Sequence, residues 1–279
     1  MDIIQAIILG IVQGAGEFLP ISSTAHLVAL PYIFNWKDPG LGFDVALHLG
    51  TLIALIVFFF WDWAAIIYLE FFKIIKFSPK AEQPITDKIQ KFRELYQPNL
   101  IALIIIATVP GVIAGILLET KAETVFRNPL LIALALSLAG LILFLIDKYS
   151  KRKKDLNKIT ILDAVIIGIS QAVAIIPGVS RSGATITAGR ARGLDRVSAA
   201  RFSFLLSVPI ILGAAAVKLP KLFSDGIDAS VAVGIFFSAL SGYFAIKYLL
   251  KFLEKSSCAV FFWYRLALAL IIGFLYIYR

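Results

Sequence analysis

Two short stretches of this chain gather side chains that could handle a charged group in apolar surroundings. Residues 6–24, AIILGIVQGAGEFLPISST, carry Gln13, Glu17, Ser22, Ser23 and Thr24, and His26 follows closely. Residues 164–182, AVIIGISQAVAIIPGVSRS, repeat the design: one offset of 158 aligns Ala6 with Ala164, Gly10 with Gly168, Gln13 with Gln171 and Ser22 with Ser180. Gln13 and Glu17 are four residues apart and so share a helix face. An ionised Glu17 among Gly14, Gly16 and Phe18 is costly unless it meets a cation, a metal or water. His26 lies one turn beyond Ser22 and Ser23, within reach of either hydroxyl.

In the second copy Ile175 replaces Glu17, and Pro177-Gly178-Val179-Ser180-Arg181-Ser182-Gly183-Ala184-Thr185 follows. Arg181 offers the planar fork that grips phosphate or carboxylate, and a helix capped by Ser180 or Ser182 turns its N–H groups the same way. An anion site is expected, although a structural ion pair between Arg181 and Glu17 is also consistent with these residues. Together the two stretches supply what phosphoryl chemistry uses. Arg181 and helix ends hold charge, Glu17 holds a divalent cation, and a serine or an activated water attacks. No Walker loop, zinc-type His/Cys set or G-x-S-x-G elbow is present.

The elements that must position these residues are membrane helices. Hydrophobic residues make up 59% of the chain and charged ones 16%, and mean hydropathy is +0.88. Apolar runs at 43–68, 98–118, 129–147, 202–217, 229–250 and 259–278 each approach the roughly 20 residues that cross a bilayer as helix. Continuous apolarity without strand alternation favours a helical bundle over a barrel. The expected fold is all-α: a polytopic integral membrane protein with six transmembrane helices and two re-entrant helix pairs, at 1–35 and 160–190. Helices broken by Pro and Gly in corresponding halves point to inverted-topology repeats with a polar site between them. The chain reads as one membrane domain over 1–279, with repeats of about 1–147 and 158–279 joined by a basic cytoplasmic linker, 148–158.

Charge sets the orientation. With the spans alternating, one side receives 69–97, 148–158, 190–201 and 247–258, which hold 19 of the 27 Lys and Arg residues. The positive-inside rule makes that side cytoplasmic and places both termini outside. The net charge of +9 therefore reflects loops and not a nucleic-acid surface. The run Lys148–Lys154, KYSKRKK, either fixes topology or meets anionic headgroups. A short amphipathic helix is expected between Ser78 and Gln97. The single cysteine, Cys258, excludes an intramolecular disulfide and reads as a small apolar residue at a helix start. No basic residue precedes the first apolar run and no cleavage site follows it, so a removed signal peptide is not expected.

The motifs QGAGEFLPISSTAH at 13–26 and PGVSRSGAT at 177–185 resemble those of the undecaprenyl-pyrophosphate phosphatase family, of the bacitracin-resistance type, over essentially the whole chain. The resemblance implies a membrane enzyme that hydrolyses undecaprenyl pyrophosphate to the monophosphate and phosphate, recycling the lipid carrier of cell-wall synthesis. It further implies a bacterial inner-membrane location, a site open to the outer face, dependence on a divalent cation such as Mg²⁺ or Ca²⁺, and a homodimer, for which the small residues Ser238, Ser241 and Gly242 offer close helix contact. The family's acidic motif falls on Gln13 and Glu17, and its functional serines, histidine and arginine fall on Ser22, Ser23, His26, Ser180, Arg181 and Thr185. Gln13 removes one carboxylate, leaving Glu17 as the metal ligand. In the expected mechanism Arg181, Ser180 and Thr185 clamp the diphosphate, with Gln13, Ser22, Thr24 and Ser182 lining the site. Catalysis falls to Glu17, Ser23, His26 and Arg181, with His26 activating Ser23 or a water. The competing reading is a transporter or flippase for a phosphorylated polyprenyl lipid or small anion, since broken helices in inverted repeats also build carriers. Asp44, His48 and Arg265 are left without a role, His48 being the strongest candidate of the three.

Overall fold

Apolar sequence of this density forms helices because a bilayer offers no partner for a free backbone N–H or C=O. A computed structural model describes residues 2–74, 95–123, 128–151, 154–224 and 228–278, and the described residues are helical apart from short connections and an isolated bridge between Lys154 and Leu194. In chain order the helices are α1 (Ile3–Phe18), α2 (Ser23–Phe34), α3 (Leu41–Phe58), α4 (Phe60–Ile74), α5 (Leu100–Glu123), α6 (Pro129–Tyr149), α7 (Ile161–Val173), α8 (Arg181–Ala191), α9 (Arg196–Ser224), α10 (Ala229–Lys255) and α11 (Ala259–Tyr278). Five of these are long and apolar enough to cross a membrane, and six spans result if the bent pair α3–α4 counts as one. Large apolar side chains such as Ile105, Leu134, Leu138, Phe274 and Ile277 point outward. That surface suits lipid, and the protein is a multi-pass membrane protein.

Four helices outside the bent pair are too short to cross. α1 and α2 have 16 and 12 residues, and α7 and α8 have 13 and 11. They pair as α1 with α2 and α7 with α8, at the two places where a re-entrant pair is expected. The 158-residue offset carries Ile3 to Ile161 and Ser23 to Arg181, so each helix of the first pair begins where its counterpart does.

Packing is crossed between the halves. α1 lies against α10, α7 lies against α5, and α3 packs on both α9 and α10. Close approach is achieved with small residues: a Cβ on Gly14 of α1 would overlap the Ser241 hydroxyl and the Ser238 carbonyl of α10. Ser238 Oγ donates to the Leu47 carbonyl at 2.7 Å, and Gly242 faces Phe18 and Ala54. The small-residue stripe of α10 is thus used inside the chain, by α1 and α3.

The expected continuous span over 43–68 is broken instead. α3 and α4 meet at 66°, although no proline or glycine marks the site. Phe59 leaves the helical region with ψ 18°, its fully buried ring packs near Phe204, and the Arg201 guanidinium lies over it at 5.7 Å. Beyond the break, Asp62 accepts from Arg201 at 2.6 Å and from the Tyr96 hydroxyl, which fixes the new direction. Long-range pairing therefore sets this bend. The other arginines between 190 and 201 are also spoken for. Arg190 and Arg196 share Asp147 at 3.0 and 2.7 Å, and Arg192 and Lys154 share Asp163 at 2.7 and 3.0 Å. Most of the amphipathic helix expected between Ser78 and Gln97 lies outside the described residues.

Replacing Gly14 by Leu should cost about 1–3 kcal/mol, because a core this tight cannot absorb the added volume without backbone shifts. Thermal unfolding of the detergent-purified variant checks this; an unchanged midpoint would contradict the packing described.

Candidate active site

Each helix pair turns through a strained serine. Pro20 follows the end of α1, and Ser22 then takes φ 71°, while Ser180 takes φ 70° in the second pair. A non-glycine residue in such a conformation costs roughly 1–3 kcal/mol and persists only where its surroundings impose it. The return is a cap: Ser22 Oγ accepts from Ala25 N at 3.4 Å, and Ser180 Oγ accepts from Gly183 N at 3.1 Å. The two turns also hold each other. Gly178 N donates to Ser22 Oγ at 3.1 Å, and Ser182 Oγ donates to the Leu19 carbonyl at 3.2 Å.

A third element bolts them together. Arg265 of α11 is fully buried and donates to the carbonyls of Pro20 (3.4 Å), Gly178 (2.6 Å), Val179 (3.0 Å) and Leu136 (3.1 Å). The carbonyls of Pro20, Gly178 and Val179 flank the two turns and have no continuing helix to bond, while Leu136 lies within α6.

At the junction lies a cavity of about 290 Å³ lined by Glu17, Ser22, Ser23, Thr24, His48, Ser180 and Arg181. Val45, Ile175, Ile176, Ile210 and Ile211 form its apolar wall. Arg181 Nη2 donates to Glu17 Oε1 at 2.8 Å, and Nη1 reaches the Ser203 carbonyl at 3.4 Å and the Ser207 hydroxyl. The other carboxylate oxygen, Oε2, accepts Ser23 Oγ–H at 2.7 Å and Gln13 Nε2–H at 3.2 Å. His48 Nε2 stands 3.4 Å from that same oxygen. A hydroxyl held on a carboxylate, with a guanidinium beside it and two helix N-termini around it, suits attack on a phosphoryl group.

Not every expected residue joins this cluster. His26 does not line the cavity: its Nδ1–H donates to the Ser22 carbonyl at 2.8 Å, and its Nε2 accepts from the Tyr264 hydroxyl at 2.7 Å. Both ring nitrogens of His26 are hydrogen-bonded to these groups, and the side chain in contact with the Ser23 hydroxyl is Glu17. Thr185 is also outside, its hydroxyl donating to the Arg181 carbonyl at 2.8 Å and meeting Ser203 Oγ at 2.7 Å. Ser182 is turned to Ser180 and Leu19, and Gln13 is fully buried behind Glu17. Conversely, the structure adds His48 to the cavity and Ser203 and Ser207 to the support of Arg181. Histidine and arginine inside apolar spans, His48 and Arg265, were the available sequence signals.

The chain matches the family described as bacitracin resistance protein BacA over residues 6–271. It is similar to the undecaprenyl-diphosphatase of Moorella thermoacetica, at 47% identity over 98% of this chain and 97% of the relative. Undecaprenyl-diphosphatases of Pelotomaculum thermopropionicum (46% identity; 97% and 95% covered) and Caldicellulosiruptor bescii (45%; 100% and 99%) are similarly related.

Substituting Arg265 by Met should cost about 3 kcal/mol or more, since hydrogen bonds from a charged donor are each worth about 1.5–3 kcal/mol and several carbonyls lose their partner together. Arg265→Lys, which keeps the charge but not the fork, should fall between Met and the wild type. Unfolding midpoints in detergent give the order, and a Met variant as stable as wild type would contradict the bolting role.

Proposed function

Because the chain belongs to the bacitracin resistance protein BacA family, we propose that it is an undecaprenyl-diphosphatase, releasing phosphate from undecaprenyl diphosphate to return the lipid carrier to cell-wall synthesis. The observation that carries this reading is Ser23 held at 2.7 Å on Glu17 while Arg181 sits at 2.8 Å on the other carboxylate oxygen. The terminal phosphate enters beside Arg181, and the first prenyl units follow the apolar wall of Val45, Ile175 and Ile210.

Ser23 Oγ attacks the terminal phosphorus and its proton passes to Glu17. The bond from that phosphorus to the bridging oxygen breaks, and undecaprenyl phosphate departs with the electron pair. Water then cleaves the phosphoserine and frees inorganic phosphate. Because phosphoryl transfer runs through a loose transition state, positioning and charge stabilisation matter more than a strong base, which suits a carboxylate in this role. Arg181, steadied by Ser203 and Ser207, bears the charge on the transferring oxygens. His26 anchors the Ser22 carbonyl and so orients the turn that presents Ser23.

A divalent cation fits these residues. The buried Gln13 Oε1 has no hydrogen-bond partner and stands on the same helix face as Glu17. Glu17 and Gln13 would hold Mg²⁺ or Ca²⁺, which neutralises phosphate oxygens when bound. Among the described residues no group of three His, Cys, Asp or Glu side chains converges, and diphosphate and water oxygens would complete the shell of such an ion.

The charge asymmetry of the loops supports both termini outside, and the family resemblance supports a bacterial inner-membrane location with the cavity open to the outer face. The carrier reading is not favoured, since the relatives are named as diphosphatases.

Detergent-solubilised protein should release phosphate from undecaprenyl diphosphate with Mg²⁺ or Ca²⁺ and stop on chelation, whereas a carrier needs two compartments to act. Glu17→Ala, Arg181→Ala and Ser23→Ala should each lower turnover by about 10²–10³-fold while the protein remains inserted. Near-wild-type phosphate release by the Glu17 or Arg181 variant would overturn the assignment.

A further inference from the structure

We infer that His48 is a nitrogen ligand, beside Glu17, for the divalent cation taken up with the diphosphate; this rests on the function proposed above. His48 Nδ1 lies 2.6 Å from the Asp44 carbonyl, one turn back on the same helix. A carbonyl only accepts, so Nδ1 carries a proton and Nε2 is the ring nitrogen turned toward Glu17. Nε2 faces Glu17 Oε2, an acceptor, at 3.4 Å.

Two explanations are open to such a contact, a proton or a metal ion between the atoms. The distance is long for a charge-assisted hydrogen bond, which runs about 2.7–2.9 Å. It falls within an ion's coordination shell: ligands about 90° apart stand about 3.0 Å from each other at about 2.1 Å from the metal and about 3.4 Å from each other at about 2.4 Å. Glu17 has its counter-charge in Arg181 already, so a second cationic side chain is not needed for balance. Ring orientation by a backbone carbonyl on the far nitrogen is also how metal-binding histidines are generally fixed.

The consequence concerns which ion the site prefers. Carboxylate, amide and phosphate oxygens alone suit Mg²⁺ and Ca²⁺, whereas an imidazole tilts selectivity toward first-row ions such as Mn²⁺. The chain should therefore hold Mn²⁺ more tightly than Ca²⁺, and His48 should be the reason.

The test uses the full chain in detergent with Mn²⁺ and methylenediphosphonate, read by pulsed electron paramagnetic resonance. The protein has only two histidines, so a directly coordinated ¹⁴N signal has two candidate sources. The wild type should show that signal, His26→Gln should retain it, and His48→Gln should lose it. His48→Gln should also weaken Mn²⁺ binding by about tenfold or more, with Ca²⁺ binding changed by less than about threefold. Bound Mn²⁺ without nitrogen coupling in the wild type, no bound Mn²⁺ at all, or coupling that survives His48→Gln would each overturn the inference. The wild-type spectrum decides even if the variant misfolds. If phosphate release persists alongside a nitrogen-free spectrum, the ligand assignment falls while the phosphatase reading stands.

Discussion

A guanidinium without a carboxylate holds this protein's centre in place. Arg265 reaches backbone carbonyls before Ser22 and before Ser180, the two residues forced to positive φ. A helix interrupted inside an apolar medium leaves carbonyls that neither water nor the next turn can satisfy, and each is expensive. One five-donor fork supplies that need for both interruptions, which obliges them to sit side by side. The cross bonds between Ser22 and Gly178, and between Ser182 and Leu19, then close the seam.

The chemistry follows from that adjacency. Glu17 belongs to one helix pair and Arg181 to the other, and only the shared seam brings them to 2.8 Å. A buried ion pair gains little over its desolvation cost, so it is a weak structural device. Under the proposed function it would serve as a latch, since an entering diphosphate would offer Arg181 two phosphate groups and an accompanying cation would take over the charge of Glu17. The ion pair expected as the alternative to an anion site is present, at 2.8 Å. Ser23 rests on Glu17 at 2.7 Å, which orients its hydroxyl.

Much of this was legible in the residues. Pro20, Gly178 and the serines beside them marked the two interruptions, and helix pairs were expected at 1–35 and 160–190, where the structure has them, since caps and breakers act locally. Six of the ten expected site residues line the cavity. Those that do not were lost to partners far along the chain or one turn away. His26 sits at the right spacing from Ser23, yet its ring is claimed by Tyr264, 238 residues later. Thr185 bonds back to its own helix, a habit of threonine that spacing alone cannot weigh against a ligand role. The bend at Phe59 has no breaker residue and arises from Arg201 and Asp62, a pairing invisible to local pattern.

The most direct measurement is an experimental structure of the protein with a methylene-bridged polyprenyl diphosphonate, which cannot be cleaved. The terminal phosphonate should lie against the Arg181 guanidinium with Ser23 Oγ facing its phosphorus, and the prenyl chain should leave along Ile175 and Ile210. A headgroup bound elsewhere, with Arg181 still closed on Glu17, would contradict the assignment of this seam as the place of reaction.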